Sequence, residues 1–259
     1  MTKFAANLSM LFTESPFLER FARAANAGFK GVEYVGPYGE TKEAIAAELQ
    51  KHGLTQALFN LPAGNWDAGE RGIGCLPDRV EEFKKGLDTA IAYAHALGCK
   101  QVNCPAGIRP TGVPPELARA TFVANLRYAS AKLKDAGVLL IAEPINRYDI
   151  PGFFLNNSAQ AIEIFDEVGS DNLKLQYDIY HMQRMEGEIT ATITRLLPRI
   201  AHFQIADNPG RNEPGTGELN FPFLFAHLKA LGYQGWVGCE YRPKTSTEAG
   251  LSWMKDLAE

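Results

Sequence analysis

The stretch VLLIAEPINR, residues 138–147, carries four apolar residues and Ala142 directly into Glu143. A short apolar run of this kind fits a strand buried on both faces. Ending it on a carboxylic acid is costly unless the acid reaches water or meets a cation. The same ending recurs. LKLQYDIY, residues 173–180, closes its run on Asp178, and WVGCEYRP, residues 236–243, closes on Glu240.

Working outward, similar short apolar segments punctuate the whole chain. They begin at Phe4, Gly31, Thr55, Lys100, Val138, Leu173, Ile200 and Gly235. Between them lie longer amphipathic segments. In residues 14–28, ESPFLERFARAANAG, Phe17, Leu18, Phe21 and Ala25 fall on one helical face and Gly28 is a stop. Residues 76–98 have Pro77 near the start and Gly98 at the end, and residues 115–137 close on Gly137. Strands separated by helices imply parallel pairing. Eight such units in 259 residues predict an α/β fold, a (β/α)8 TIM barrel forming one domain over residues 1–259. A doubly wound open sheet is the alternative, but no GxGxxG turn follows the first strand.

Composition narrows the class. With 46% hydrophobic and 22% charged residues, the chain reads as an ordinary globular protein. A formal net charge of -4 gives no footprint for nucleic acid or for an anionic membrane surface. The opening MTKFAANLSMLF is a poor signal peptide, and no apolar run is long enough to span a bilayer, so a cytoplasmic location is expected. The composition is compatible with a homo-oligomer. Cys75, Cys99, Cys104 and Cys239 form no CxxC pair and read as buried, reduced thiols.

In a barrel of this type the C-terminal strand ends converge on one mouth. Glu143, Asp178, Gln204 and Glu240 then come from four consecutive strands toward the same point. Three carboxylates packed together repel one another, and a divalent cation relieves that repulsion. Oxygen donors alone form a hard site, suited to Mg2+ or Mn2+. A single Glu at a strand end is ordinarily a salt-bridge partner; the recurrence on adjacent strands favours ligation. His181, three residues beyond Asp178, reads either as a capping residue or as a substrate contact. His202, two residues before Gln204, shares its inward face at a deeper layer, and His52, His95 and His227 fall in helical segments. The glycine-rich segments 62–74 and 207–220 are lid candidates and carry Arg71 and Arg211. Arg71 reads as a solvated loop residue. Arg211 is the better candidate to fork onto a substrate carboxylate.

Several blocks carry a family resemblance: FAANLSMLF, LFNLPAGNWDAGERGI, EPIN, IPGF, QYDIYHMQRMEGE, QIADNPGRNEPGTGE and GWVGCEY. Over nearly the whole chain the sequence resembles the bacterial hydroxypyruvate isomerase family, within the xylose-isomerase-like barrels. Close relatives in that family isomerise 2-oxo-tetronates. The resemblance implies that Glu143, Asp178, Gln204 and Glu240 hold the metal and that Glu143 and Glu240 do the acid/base work. It implies a small oxo- or hydroxy-acid substrate passing through an enediolate, with hydroxypyruvate and tartronate semialdehyde as the pair. The chain is more distantly similar to ketose 3-epimerases. Those carry a histidine at the third ligand position, where this sequence has Gln204, and the departure argues against sugar epimerisation. A metal-dependent nuclease would need more ligands and a basic groove, and a non-catalytic binding barrel would need no convergent carboxylates.

Overall fold

The computed structural model describes residues 2–255. Its eight strands are β1 (Lys3–Asn7), β2 (Gly31–Tyr34), β3 (Thr55–Phe59), β4 (Gln101–Asn103), β5 (Leu139–Ala142), β6 (Leu173–Asp178), β7 (Ile200–Ile205) and β8 (Trp236–Cys239). All pairings are parallel, in the order β3-β2-β1-β8-β7-β6-β5-β4. A bridge between Asn60 and Asn103 joins β3 to β4, so the sheet is a nearly closed barrel.

Helices fill the crossovers: α1 (Glu19–Asn26), α2 (Lys42–His52), α3 (Val80–Leu97), α4 (Pro115–Asp135) and α5 (Ser158–Val168). Then come α6 (Ile179–Met185), α7 (Ile189–Leu196), α8 (Phe221–Ala230) and α9 (Ser252–Lys255). Their ends follow local chemistry. Thr41, Asn157 and Asn220 accept the N–H of the third helical residue of α2, α5 and α8. Gly53, Gly98 and Gly169 end α2, α3 and α5 in the left-handed conformation that glycine adopts without strain.

Two details differ from the sequence reading. The helix expected over 14–28 starts only at Glu19: Pro16 keeps Ser15 out of helical geometry, and residues 16–18 form a turn closed by the Glu19 N–H on the Pro16 carbonyl at 3.0 Å. Its buried face is Phe21 and Ala24, with Ala25 only half-buried. The four cysteines are free and buried, as expected. Among the described residues no helix is long and apolar enough to cross a membrane.

Strand alternation sorts the side chains. In β6, Leu175 and Tyr177 face the helices, while Gln176 and Asp178 face the barrel axis; in β7, Phe203 and Ile205 face out, while His202 and Gln204 face in. Register sets the layers, pairing Gln176 with His202 and Asp178 with Gln204. The barrel interior, usually apolar in this architecture, is therefore polar on this side.

Candidate active site

Each carboxylate sits where a strand hands over to a loop. Glu143 follows β5 directly, Asp178 is the last residue of β6, and Glu240 follows β8. Glu143 and Glu240 line a cavity of about 600 Å³ at the C-terminal mouth, together with Gln204, His181 and Arg211, and Asp178 lies just behind that wall, within 4.8 Å of ligand atoms of Glu143 and His181. The sequence-predicted residues are thus brought to one place.

Their environments differ. Asp178 is fully buried and caps α6: its Oδ1 accepts from the backbone N–H of Tyr180 at 2.7 Å and of His181 at 3.2 Å. That bond holds Oδ1 and leaves Oδ2 with no hydrogen-bond partner among the described residues. Glu143 Oε1 is likewise buried and unpartnered. Glu240 is engaged, since its Oε1 accepts from Arg211 Nη2 at 3.0 Å. Gln204 is held at both ends: its Nε2 donates to Glu33 Oε1 at 2.7 Å, and its Oε1 accepts from Gln176 Nε2 at 2.6 Å. A carbonyl oxygen has two lone pairs, so one remains on Oε1.

The electrostatics follow from burial. Desolvation, then the charges of Glu240 and Asp178, push the Glu143 carboxyl well above the usual range. Desolvation raises Asp178 to about 6, against the pull of Arg211. Burial raises Glu240 to about 8 in the same way. The guanidinium of Arg211, in contact with Glu240, does not by itself offset three carboxylates. Two orphaned, buried carboxylate oxygens on neighbouring acids are what a cation site requires, so these residues fit a divalent metal. Ligand atoms of Glu143, Asp178 and His181 come within 4.8 Å of one another.

Arg211 is largely buried, with 13% of its side chain exposed. It adopts a left-handed backbone, φ 54°, which turns its side chain back over the Tyr180 ring at 5.2 Å. Its Nη1 also reaches Asp149 Oδ2 at 3.5 Å. Arg71 does not join this cluster closely. It lies over the Trp66 ring at 3.9 Å and donates to the carbonyls of Trp66 and Glu70, although it lines the outer cavity.

Sequence reasoning passed over several residues here. Glu33 is fully buried in β2 and accepts from Asn7 at 3.0 Å, from Gln204 and from His202 Nε2 at 2.7 Å. His202 Nδ1 in turn meets Gln101 at 3.2 Å, confirming its inward, deeper placement. A Cβ at Gly238 would stand 2.2 Å from the Glu33 carboxylate, so only glycine leaves room for it. The signal was present: Glu33 is a carboxylate inside the apolar segment GVEYVG. Asn146 and Asp149 gave no such signal, because they lie in a loop whose path the sequence does not reveal.

The two lid candidates are tied down. Asp207 is buried, and its carboxylate accepts four backbone N–H groups, from Asn208, Gly215, Gly217 and Leu219, at 2.8–3.1 Å. In the loop after β3, Glu70 accepts from Asn65 N and from Arg79, and Gly72 packs against the Pro105 carbonyl with no room for a Cβ.

With this geometry in view, the comparisons are direct. A family model described as "Xylose isomerase-like TIM barrel" matches residues 21–257. The chain belongs to the xylose isomerase-like TIM barrel family. It is 55% identical to hydroxypyruvate isomerase of Escherichia coli over 254 residues, 98% of each chain. It is 46% identical to 2-oxo-tetronate isomerase of Cupriavidus necator over 255 residues, again 98% of each. A crystal structure of an AP endonuclease, family 2, from Brucella melitensis superposes with a TM-score of 0.96 at 45% identity, covering 99% of each chain. Within the barrel family the chain is therefore an isomerase of the hydroxypyruvate isomerase group.

The Asp207 cradle yields a measurable expectation. Asp207→Ala removes the acceptor of four amides at once, each worth about 1 kcal/mol or more when left unsatisfied. Hydrogen exchange at the Gly215 and Gly217 amides should accelerate by more than tenfold, and KM should rise severalfold because Arg211 loses its platform. Unchanged exchange at those amides would show that the loop is held by other contacts.

Proposed function

We propose that the protein interconverts hydroxypyruvate and tartronate semialdehyde. The observation that carries this reading is the pair of buried, unpartnered oxygens on Glu143 and Asp178, beside Glu240, in a chain 55% identical to a hydroxypyruvate isomerase. The residues assigned to hold a divalent metal are Glu143, Asp178, Gln204 and Glu240, with Mg2+ or Mn2+ as the ion. When bound, such a cation polarises the two adjacent substrate oxygens and offsets the charge that develops on them.

The chain's own residues do the rest. Glu240 takes a proton from C3, the hydroxymethyl carbon, leaving an enediolate, and the proton returns at C2. Glu143 moves the hydroxyl proton from O3 to O2, so that C3 becomes the aldehyde and C2 the carbinol. Atoms and charge balance without an oxidant. Arg211 and His181 bind and orient the substrate. The name of the Brucella relative points to DNA. For the present chain the net charge of -4 and a mouth rich in carboxylates oppose a phosphate backbone.

Product formed in D2O should carry deuterium on the carbon that receives the proton, read by NMR or mass spectrometry. Full retention of a C3 label in light water would indicate hydride transfer and overturn the proton-transfer reading.

The metal assignment rests on oxygen donors. Gln204→His introduces imidazole, which favours Co2+ or Zn2+ over Mg2+. Metal analysis of the purified variant should show that shift while the fold is kept. An unchanged preference would remove Gln204 from the ligand set.

A second reading, 2-oxo-tetronate isomerisation, is favoured by one observation. A cavity of about 600 Å³ has room for a fourth carbon beside the reacting atoms. One extra hydroxymethyl group is worth only about 1–3 kcal/mol of discrimination in a pocket. The ratio of kcat/KM for the two acids decides, and the expected ratio favours hydroxypyruvate. A clear preference for the four-carbon acid would reverse the order.

A further inference from the structure

We propose that Asn146 is a positioning residue that keeps the ring proton of His181 on Nε2, so that His181 offers the substrate an N–H and not a lone pair. The inference rests on the isomerase reading for its use, but on hydrogen-bond geometry alone for its content.

Asn146 is fully buried, three residues beyond Glu143 in the loop after β5. Its Oδ1 accepts two backbone N–H groups, from Tyr148 at 3.0 Å and Asp149 at 2.8 Å. This fixes the amide. Turned the other way, its NH2 would face two donors. The Nδ2 group therefore points at His181 Nδ1, 2.6 Å away, and the backbone N–H of Asn146 approaches the same ring nitrogen at 3.4 Å. A nitrogen facing two donors is an acceptor and carries no hydrogen. The ring hydrogen is then on Nε2, and a doubly protonated ring is excluded by the same contact.

Nε2 stands 3.6 Å from Asp178 Oδ2 and 3.8 Å from Glu143 Oε1, too far for a hydrogen bond to either. Arg211 Nη2 lies 3.4 Å from Nε2. That longer approach is outweighed by the 2.6 Å contact at Nδ1, so with the hydrogen on Nε2 the two groups are neighbouring donors that do not bond each other. An oxygen that gains charge during the reaction can take both hydrogens. It also follows that His181 is not a metal ligand through Nε2, although it lies within ligand range of Glu143 and Asp178.

Long-range 1H–15N correlation of histidine-labelled protein, without substrate, reports which His181 nitrogen carries the proton. The wild type should show Nε2–H. Asn146→Asp keeps the two backbone contacts and replaces the NH2 by an acceptor, so the hydrogen should appear on Nδ1. In that variant kcat should fall on the order of 10²-fold with KM changed far less, as for loss of one oxyanion donor. In a His181→Gln background the same Asn146→Asp change should cost little further. Nδ1–H or a charged ring in the wild type would overturn the proposal, even if the variant failed to fold. An unmoved proton in Asn146→Asp would overturn it too. Because the spectrum needs no substrate, its outcome is separate from the choice of reaction, which the deuterium experiment tests.

Discussion

Four carboxylates, Glu33, Glu143, Asp178 and Glu240, share the interior of one barrel, and the cost of burying them governs the arrangement of everything nearby. A buried charge without partners costs far more than any one packing contact returns. The fold meets that cost in a different way for each acid. Glu33 collects donors from three side chains. Asp178 spends one oxygen on the N-terminus of α6, where the helix dipole also favours negative charge. Glu240 takes a guanidinium. Glu143 has the least, and its carboxyl is driven well above the normal range. The imbalance is confined to the cavity side, where chemistry needs it.

Beneath the mouth lies a polar layer that carries the upper one. Gln101, His202 and Glu33 form a chain across the barrel, and Glu33 and Gln176 grip the two ends of Gln204. The amide of Gln204 is thus oriented from below: Glu33 Oε1 draws Nε2, and the Gln176 amide holds the carbonyl on the other side. Gly238 makes the network fit, since any side chain there would displace the Glu33 carboxylate. A buried polar network of this kind favours one arrangement, because each partial rearrangement strands a donor or an acceptor. This explains why a small-molecule isomerase can build its site on strand ends and still hold it rigidly, while only the outer wall is made of loops.

The loop elements obey the same logic. Asp207 gathers the backbone of residues 208–219 and so aims Arg211 inward, and the Asn146 turn aims its amide at His181. In both cases a polar side chain of the loop does for irregular backbone what a ladder does for a strand.

The sequence alone determined the alternation of strands and helices, since period and stop signals are local properties of the chain. It also determined that Glu143, Asp178, Gln204 and Glu240 come together, because strand ends in a barrel converge whatever the loops do. Glu33, a charge inside the apolar β2 segment, was also visible in the sequence and was passed over. Whether Asn146 meets His181 and Arg211 meets Glu240 was decided only in the tertiary structure. Those contacts join residues 35 and 29 positions apart through loops whose dihedrals, such as the left-handed Arg211, have no signature in residue type. Patterns that repeat along the chain survive as sequence signals. Single hydrogen bonds between loops do not, because their free energy is spread over the backbone path that brings the partners together.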